Sequence, residues 1–338
     1  MNKTLGLGIL GCGDFLRLNC EEIKASGLVH VAALFDPDRS RAERYAAELG
    51  GRALDTASAV VADPDVQVLL IFSPPWVRSG LFAEAAQAGK PILTTKPLAP
   101  DVASCAAIQA AAQAGGIPCG VIYNRTGNAA VQALKRLFTS GEIGRLALYR
   151  QDWIHHYPQW NTWALDPKKN GGPFMDAMIH NLNSARHLMG RSASRAAFFS
   201  DNLAHPQLPC ADTEAMKLDF EGNGTALLFI TWAADLAVHS TAGNDREHID
   251  LFYGVTDQGW RVTLEEQGGS EVLVASRRGE KKHWPVPPFP STVYDEFVAY
   301  LQREAGWPER LPDLQEAALD IQLIRQGGEG ALARSAQL

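Results

Sequence analysis

The chain has 338 residues, 46% of them hydrophobic and 20% charged, with a formal net charge of −7. That length suggests two domains, and the composition is that of a globular protein rather than a fibrous or disordered one. The acidic balance argues against a nucleic-acid or anionic-membrane partner, because no basic surplus is present to neutralise phosphates.

The opening, MNKTLGLGILGCG, reads as a first strand and turn rather than a signal peptide, since four glycines break its apolar run. No later apolar run approaches bilayer length, so no membrane span is expected. Five cysteines (Cys12, Cys20, Cys105, Cys119 and Cys210) include no C-x-x-C pair. Neither a disulfide framework nor a structural zinc is expected, and a reducing cytoplasm fits.

In chain order, short apolar runs at 5–10, 29–35, 66–72, 91–95 and 118–123 read as strands. Helical patterns at 39–49, 79–88 and 101–114 lie between them and end on glycines. Strand–helix–strand at this spacing predicts parallel pairing through right-handed crossovers: an α/β, doubly wound sheet over 1–123. From 124 to 338 the character changes. One helix leads to strands at 145–154, 195–201, 214–220, 225–233, 248–254 and 259–265, several alternating apolar and polar residues. That pattern suits an antiparallel sheet with one face more covered than the other. A Pro-rich connection at 284–290 precedes helices near 291–304 and 313–326.

The first chemical signal is GILGCGDFLRLN. Gly11 and Gly13 hold two positions of a G-x-G-x-x-(G/A) turn, while Leu16 stands at the third. Gly11 would allow the tight turn, and Gly13 would let the backbone approach a pyrophosphate on the helix N-terminus, beside Cys12, Asp14 and Phe15. A β–α turn without a ligand is the plainer reading. Asp36, ending the second strand, tips the balance, since a carboxylate there accepts from an adenosine ribose and repels a 2′-phosphate. NAD is therefore expected, with Arg39 and Arg41 keeping NADP open.

Ligands of open α/β sheets bind at the carboxyl ends of the strands. Ser73, Pro74, Trp76, Thr95, Lys96, Asn124 and Arg125 fall there and join the candidate cofactor and substrate contacts. Lys96 is either a crevice cation or an ordinary surface lysine. In GGPFMDAMIHNLNSARHLMG, a helix from Pro173 to a Gly190 cap would place Asp176, His180, Asn183 and His187 on one stripe. The stripe is either a solvated polar face or a catalytic one, because an Asp one turn before a His can fix its tautomer and raise its basicity. The segment 151–161, with Trp153, His155 and His156, suits polyol stacking or a packed aromatic cluster equally. Adjacent strand residues point to opposite faces, so His155 and His156 are not expected to hold a metal.

These segments in this order resemble the Gfo/Idh/MocA oxidoreductases over nearly the whole chain. The resemblance implies an N-terminal Rossmann domain, 1–123, and a C-terminal α/β domain, 124–338, built on an open, mostly antiparallel sheet. It implies oxidation of a secondary hydroxyl of a sugar, polyol or inositol-like substrate with NAD or NADP, and a homodimer or homotetramer. The family's E-K-P lysine corresponds to Lys96, and its D-x-x-x-H pair to Asp176 and His180, so these three are the implied catalytic residues. Trp163 and Asp166 also match the family pattern; Trp163, with Arg125 at its strand end and Trp153 and His155 in the aromatic segment, completes the candidate substrate contacts. Three departures stand out: Thr95 replaces the E-K-P glutamate, Arg78 replaces a histidine, and Asn183 replaces an acidic residue. They leave room for two alternatives, a catalytically silent cofactor sensor and a reductase of a non-sugar carbonyl or imine.

Overall fold

Six parallel strands carry the first unit: β1 (Leu5–Leu10), β2 (Val29–Phe35), β3 (Arg52–Ala53), β4 (Val68–Ile71), β5 (Ile92–Thr95) and β6 (Cys119–Ile122). The computed structural model describes residues 4–156, 162–233 and 249–335. The sheet order is β3-β2-β1-β4-β5-β6, and each neighbouring pair is parallel. This is the doubly wound order in which the crevice opens between the carboxyl ends of β1 and β4, where the strand order reverses. Helices α1 (Asp14–Ala25), α2 (Arg39–Leu49), α3 (Ala57–Ala62), α4 (Arg78–Gln87) and α5 (Val102–Gly115) connect the strands. β3, of two residues, and α3, of six, are too short to register as periodic segments.

The chain divides into two compact units, Met1–Tyr123 with Phe289–Leu319, and Asn124–Pro288 with Asp320–Leu338. Residues 289–319 thus return to the first unit, where the sequence suggests one continuous second domain from 124 to 338. The reason is apolar burial. Helix α8 (Val293–Leu301) places Val293, Tyr294, Phe297 and Val298 in the same core as Leu7, Ile9, Leu16 and Ile23. The Tyr294 hydroxyl donates to Asn19 Oδ1 at 3.1 Å, and Glu22 accepts from the Val293 amide at 2.8 Å. Phe297 and Tyr300 meet Trp307 edge-on, with ring centroids 5.9 and 5.0 Å away.

In the second unit, helix α6 (Ala129–Ser140) precedes an eight-stranded sheet ordered β14-β13-β12-β11-β7-β10-β9-β8. Its strands are β7 (Leu146–Ile154), β8 (Ala193–Asp201), β9 (Thr213–Phe220), β10 (Gly224–Thr231), β11 (Ile249–Thr256), β12 (Arg261–Gln267), β13 (Ser270–Arg277) and β14 (Glu280–Pro285). Among the described residues β7 and β10 pair in parallel and the other neighbours antiparallel. The last hairpin, β13–β14, takes up part of the stretch that reads as a Pro-rich connection, because Lys281, Lys282 and His283 hide its strand signal. A π-helical turn at Phe174–Met178, followed by α7 (Ile179–Met189), packs against β7 and β10 of this sheet. The final helix, α9, spans Leu314–Ser335. His248 at the head of the expected 248–254 strand, and the aromatic-rich end of the 151–161 segment at 157–161, lie outside the described residues. No described helix is long and apolar enough to cross a membrane.

Candidate active site

Cofactor-type residues cluster at the carboxyl ends of the first unit's strands. Gly11 adopts φ +108°, and a Cβ there would come within 2.7 Å of the Ser73 amide nitrogen. The β1 turn therefore approaches the end of β4 too closely for any side chain. The Gly11 amide donates to Phe35 O at 2.9 Å, and the Cys12 amide to Asp36 Oδ2 at 2.8 Å. Asp36 Oδ1 accepts from the Asp38 amide at 2.9 Å, so both oxygens are oriented while keeping lone pairs for ribose hydroxyls. Gly13 caps α1 with no side-chain cap bond and has open space where its Cβ would stand. The Ser73 hydroxyl is buried with no partner among the described residues.

An uncapped helix N-terminus, a side-chain-free turn and a waiting hydroxyl fit the pyrophosphate of a dinucleotide. Asp14 pairs loosely with Arg17 at 3.4 Å, and Phe15 packs edge-on to Phe72 at 4.8 Å. Burial pushes the Cys12 thiol up to about 12, so it stays protonated and inert. Arg41 lies 3.3 Å from Asp38, and Arg39 is engaged by Glu43 and Asp55. Neither guanidinium is uncommitted for a 2′-phosphate, which favours NAD. Pro74 is exposed and Trp76 half-buried in the short turn Pro75–Val77. Thr95 is buried, with Oγ1 turned to Ile122 O at 3.4 Å, and Lys96 follows it half-buried.

The second unit holds two groups. Arg125 pairs with Asp250, and its guanidinium lies over the Trp153 ring, 4.9 Å from the centroid. The Trp153 and His155 rings follow at 5.4 Å, and Gln151 donates to Asp250 at 2.5 Å. Asn124, just before Arg125, is exposed, and Trp163 is half-buried in the turn Thr162–Leu165.

The other group is the Asp176–His180 segment. Asp176 lies in the π-helical turn, where Asn170 Nδ2 reaches its Oδ1 at 3.3 Å. His180, 9% exposed, stands at the start of α7. Wider π-helical turns inside α-helices are frequent at functional sites.

The stripe of this helix is not a solvated face. Asn183 and Arg186 are buried, held by Asp320 at 2.8 and 2.6 Å. Asn183 also accepts from the Thr126 hydroxyl at 2.6 Å. His187 sits 3.1 Å from Gln132 Nε2, and burial together with the Lys135 charge holds its pKa down to about 4. Asn183, buried, and His187, half-buried, are thus held in a polar network with Thr126, Gln132 and Asp320.

Glu214 fastens the head of the helix. It accepts from the Phe174 amide at 2.6 Å and the Ser200 hydroxyl at 3.1 Å. Gly172, at φ +120°, leaves room for it: a Cβ there would lie 3.2 Å from both carboxylate oxygens. The sequence signal for Glu214 is register, since it alternates with Met216, Leu218 and Phe220 on the covered face of β9.

Burial raises the Glu214 carboxyl from 4.5 to about 7. Between those values the folded chain holds a proton that the unfolded chain has released. This group's contribution to stability is therefore full below about pH 4.5 and is lost as the pH rises through about 7. The Tm of wild type minus that of Glu214→Gln should fall on going from pH 5 to pH 8. A difference independent of pH would show that Glu214 does not titrate there.

Two family models match. The one described as "Oxidoreductase family, NAD-binding Rossmann fold" covers residues 5–123, and the one described as "GFO/IDH/MocA C-terminal domain" covers 131–244. A scyllo-inositol 2-dehydrogenase (NAD(+)) of Bacillus subtilis is 31% identical over 188 residues, which is 55% of this chain and 53% of that enzyme. The chain thus spans about half the length of that relative. Among solved structures, an aldose–aldose oxidoreductase from Caulobacter crescentus with glycerol superposes at TM-score 0.81 and 20% identity, covering 98% of each chain. An oxidoreductase from Agrobacterium radiobacter in complex with NAD+, L-tartaric acid and magnesium gives 0.78 at 18% identity, covering 98% of this chain and 97% of the other. At such identities the superpositions speak for fold.

Proposed function

The chain belongs to the Gfo/Idh/MocA oxidoreductases, with an NAD-binding Rossmann domain, and on that premise we propose that it is a dehydrogenase of an inositol-like, sugar or polyol secondary hydroxyl. The observation that carries this reading is the fastened helix head. A nearly buried imidazole at His180 follows a half-buried carboxylate at Asp176 by one turn. That pair is suited to accept a hydroxyl proton.

NAD, when bound, supplies the hydride acceptor. His180 takes the hydroxyl proton on a ring nitrogen, and Asp176 favours the charged imidazole. Lys96 donates a hydrogen bond to the substrate oxygen and stabilises its alkoxide character. The secondary alcohol thereby loses a hydride and a proton and becomes a ketone. The Arg125–Asp250 pair over Trp153 offers a stacking surface and hydrogen bonds, with its net charge cancelled, which suits a neutral polyol.

The test is a screen of inositols, hexoses, sugar acids and dihydrodiols for reduction of NAD and NADP, with wild type beside Lys96→Met. Turnover of a polyol with NAD, a preference over NADP of about tenfold or more, and near-complete loss in Lys96→Met are expected. Tight NAD binding without turnover of any class would favour the silent sensor. Oxidation of NADH by simple carbonyls or imines alone would favour the reductase.

A further inference from the structure

Arg78 opens α4 immediately after the turn Pro75–Val77, and at 2% exposure it is among the largest buried side chains of the chain. Among the described residues no carboxylate pairs with it. Its guanidinium is instead surrounded by main-chain oxygens. Nε donates to Ser73 O at 2.9 Å, Nη1 reaches the carbonyls of both Thr95 and Pro97, and Leu98 O stands at 3.5 Å. Burial lowers its pKa to about 9, so it remains a cation at neutral pH.

A buried charge without a counter-ion is unfavourable unless dipoles are turned toward it. Here those dipoles are the peptide groups at the ends of β4 and β5. The planar fork of arginine reaches several carbonyls at once, which a point charge on a flexible stem does not.

Two of the clamped carbonyls bracket the Lys96–Pro97 pair. Thr95 O belongs to the peptide group directly before Lys96, and Pro97 O to the one directly after Pro97. With the proline φ fixed by its ring, holding both limits the backbone torsions of Lys96 and with them the direction in which its side chain leaves the backbone. Thr95 takes no part through its side chain, because its hydroxyl is turned to Ile122.

We propose that Arg78 is a positioning residue for Lys96, a buried cation that sets the backbone carbonyls on either side of the lysine and so aims its ammonium. Where the resemblance places a glutamate at 95 and a histidine at 78, this chain has Thr95 and Arg78, and the backbone around the lysine is held from position 78. The link to turnover rests on the dehydrogenase reading; the effect on Lys96 itself does not.

The experiment therefore has two arms. The first pulse-labels the lysines of the cofactor-free protein with acetic anhydride and reads each site by mass spectrometry in wild type, Arg78→Met and Arg78→Lys. Lys96 should label about threefold faster or more in Arg78→Met and closer to wild type in Arg78→Lys, with the other lysines unchanged. If Arg78→Met does not fold, Arg78→Lys alone should still show a faster Lys96 at unchanged other sites. An unchanged Lys96, or faster labelling of every lysine in both variants, would overturn the proposal.

The second arm measures turnover on the substrate found in the screen. Arg78→Met should lower kcat about tenfold to a hundredfold with NAD affinity kept within about twofold, and Arg78→Lys should recover part of the loss. Combined with Lys96→Met, it should add nothing further, because it acts through that lysine. Independent, multiplying losses would overturn the proposal. A Lys96 labelling change in a protein that turns over no substrate supports the positioning role while ending the dehydrogenase reading.

Discussion

Replacing His180 with alanine is expected to lower kcat/KM by about a hundredfold to ten-thousandfold while leaving NAD affinity unchanged. The size follows from the work assigned to the imidazole. Hydride departure leaves a protonated carbonyl unless the hydroxyl proton is taken in the same transition state, and water held at random is a poor base at neutral pH. The separation from NAD affinity follows from topology, since the glycine turn, Asp36 and Ser73 all belong to the other unit. The ring is nearly buried, so its loss also leaves a cavity. A Tm measurement beside the kinetics distinguishes a destabilised enzyme from a chemically disabled one. Activity within about threefold of wild type in a folded His180→Ala protein would remove the histidine from the chemistry.

Replacing Asp320 with alanine is expected to destabilise the second unit by about 3–5 kcal/mol, seen as a Tm lower by roughly 10 °C or more. Asp320 is fully buried and accepts from Arg186 Nη1 at 2.6 Å and Asn183 Nδ2 at 2.8 Å. Removing it leaves a guanidinium only 6% exposed without its carboxylate, in a place water does not reach. The loss of a counter-charge, rather than of volume, is the expected cause. The double variant Arg186→Met, Asp320→Leu should therefore recover much of the stability, because an apolar pair of similar size needs no desolvation. If the double variant is as unstable as the single one, packing around the pair and not its charge is what matters. Because Asn183 and Arg186 lie on α7, this pair also anchors the helix that presents His180, so the single variant should lose turnover along with stability.

Much of the architecture is legible in short segments. β1, β2 and α2 coincide with their apolar patterns residue for residue. The glycine turn and Asp36 are recognisable at a distance of some two dozen residues, because the βαβ unit that joins them is itself local. Glu214 and Asp320 are partly legible too. Each is a carboxylate at a position where the strand or helix period calls for an apolar residue, Glu214 in line with Met216 and Leu218, Asp320 beside Ile321 on the buried side of α9. The period marks them as buried groups without naming their partners.

Arg78 is the opposite case. At the start of a helix, after a proline turn, it has the pattern of a solvent-facing arginine, and nothing within its own segment shows that Thr95 and Pro97 will offer it their carbonyls. The return of residues 289–319 to the first unit has the same origin. Hydrogen bonds of helices and neighbouring strands connect residues close in the chain, so periodicity and turn chemistry are enough to specify them. Which buried charge meets which dipole, and which apolar face covers which core, depends on contacts distant in the chain, such as Arg78 with Thr95, 17 residues apart, and Tyr294 with Asn19, 275 apart. Those contacts exist only once the elements have packed, because each apolar face is equally satisfied by any complementary surface until the whole chain closes around it.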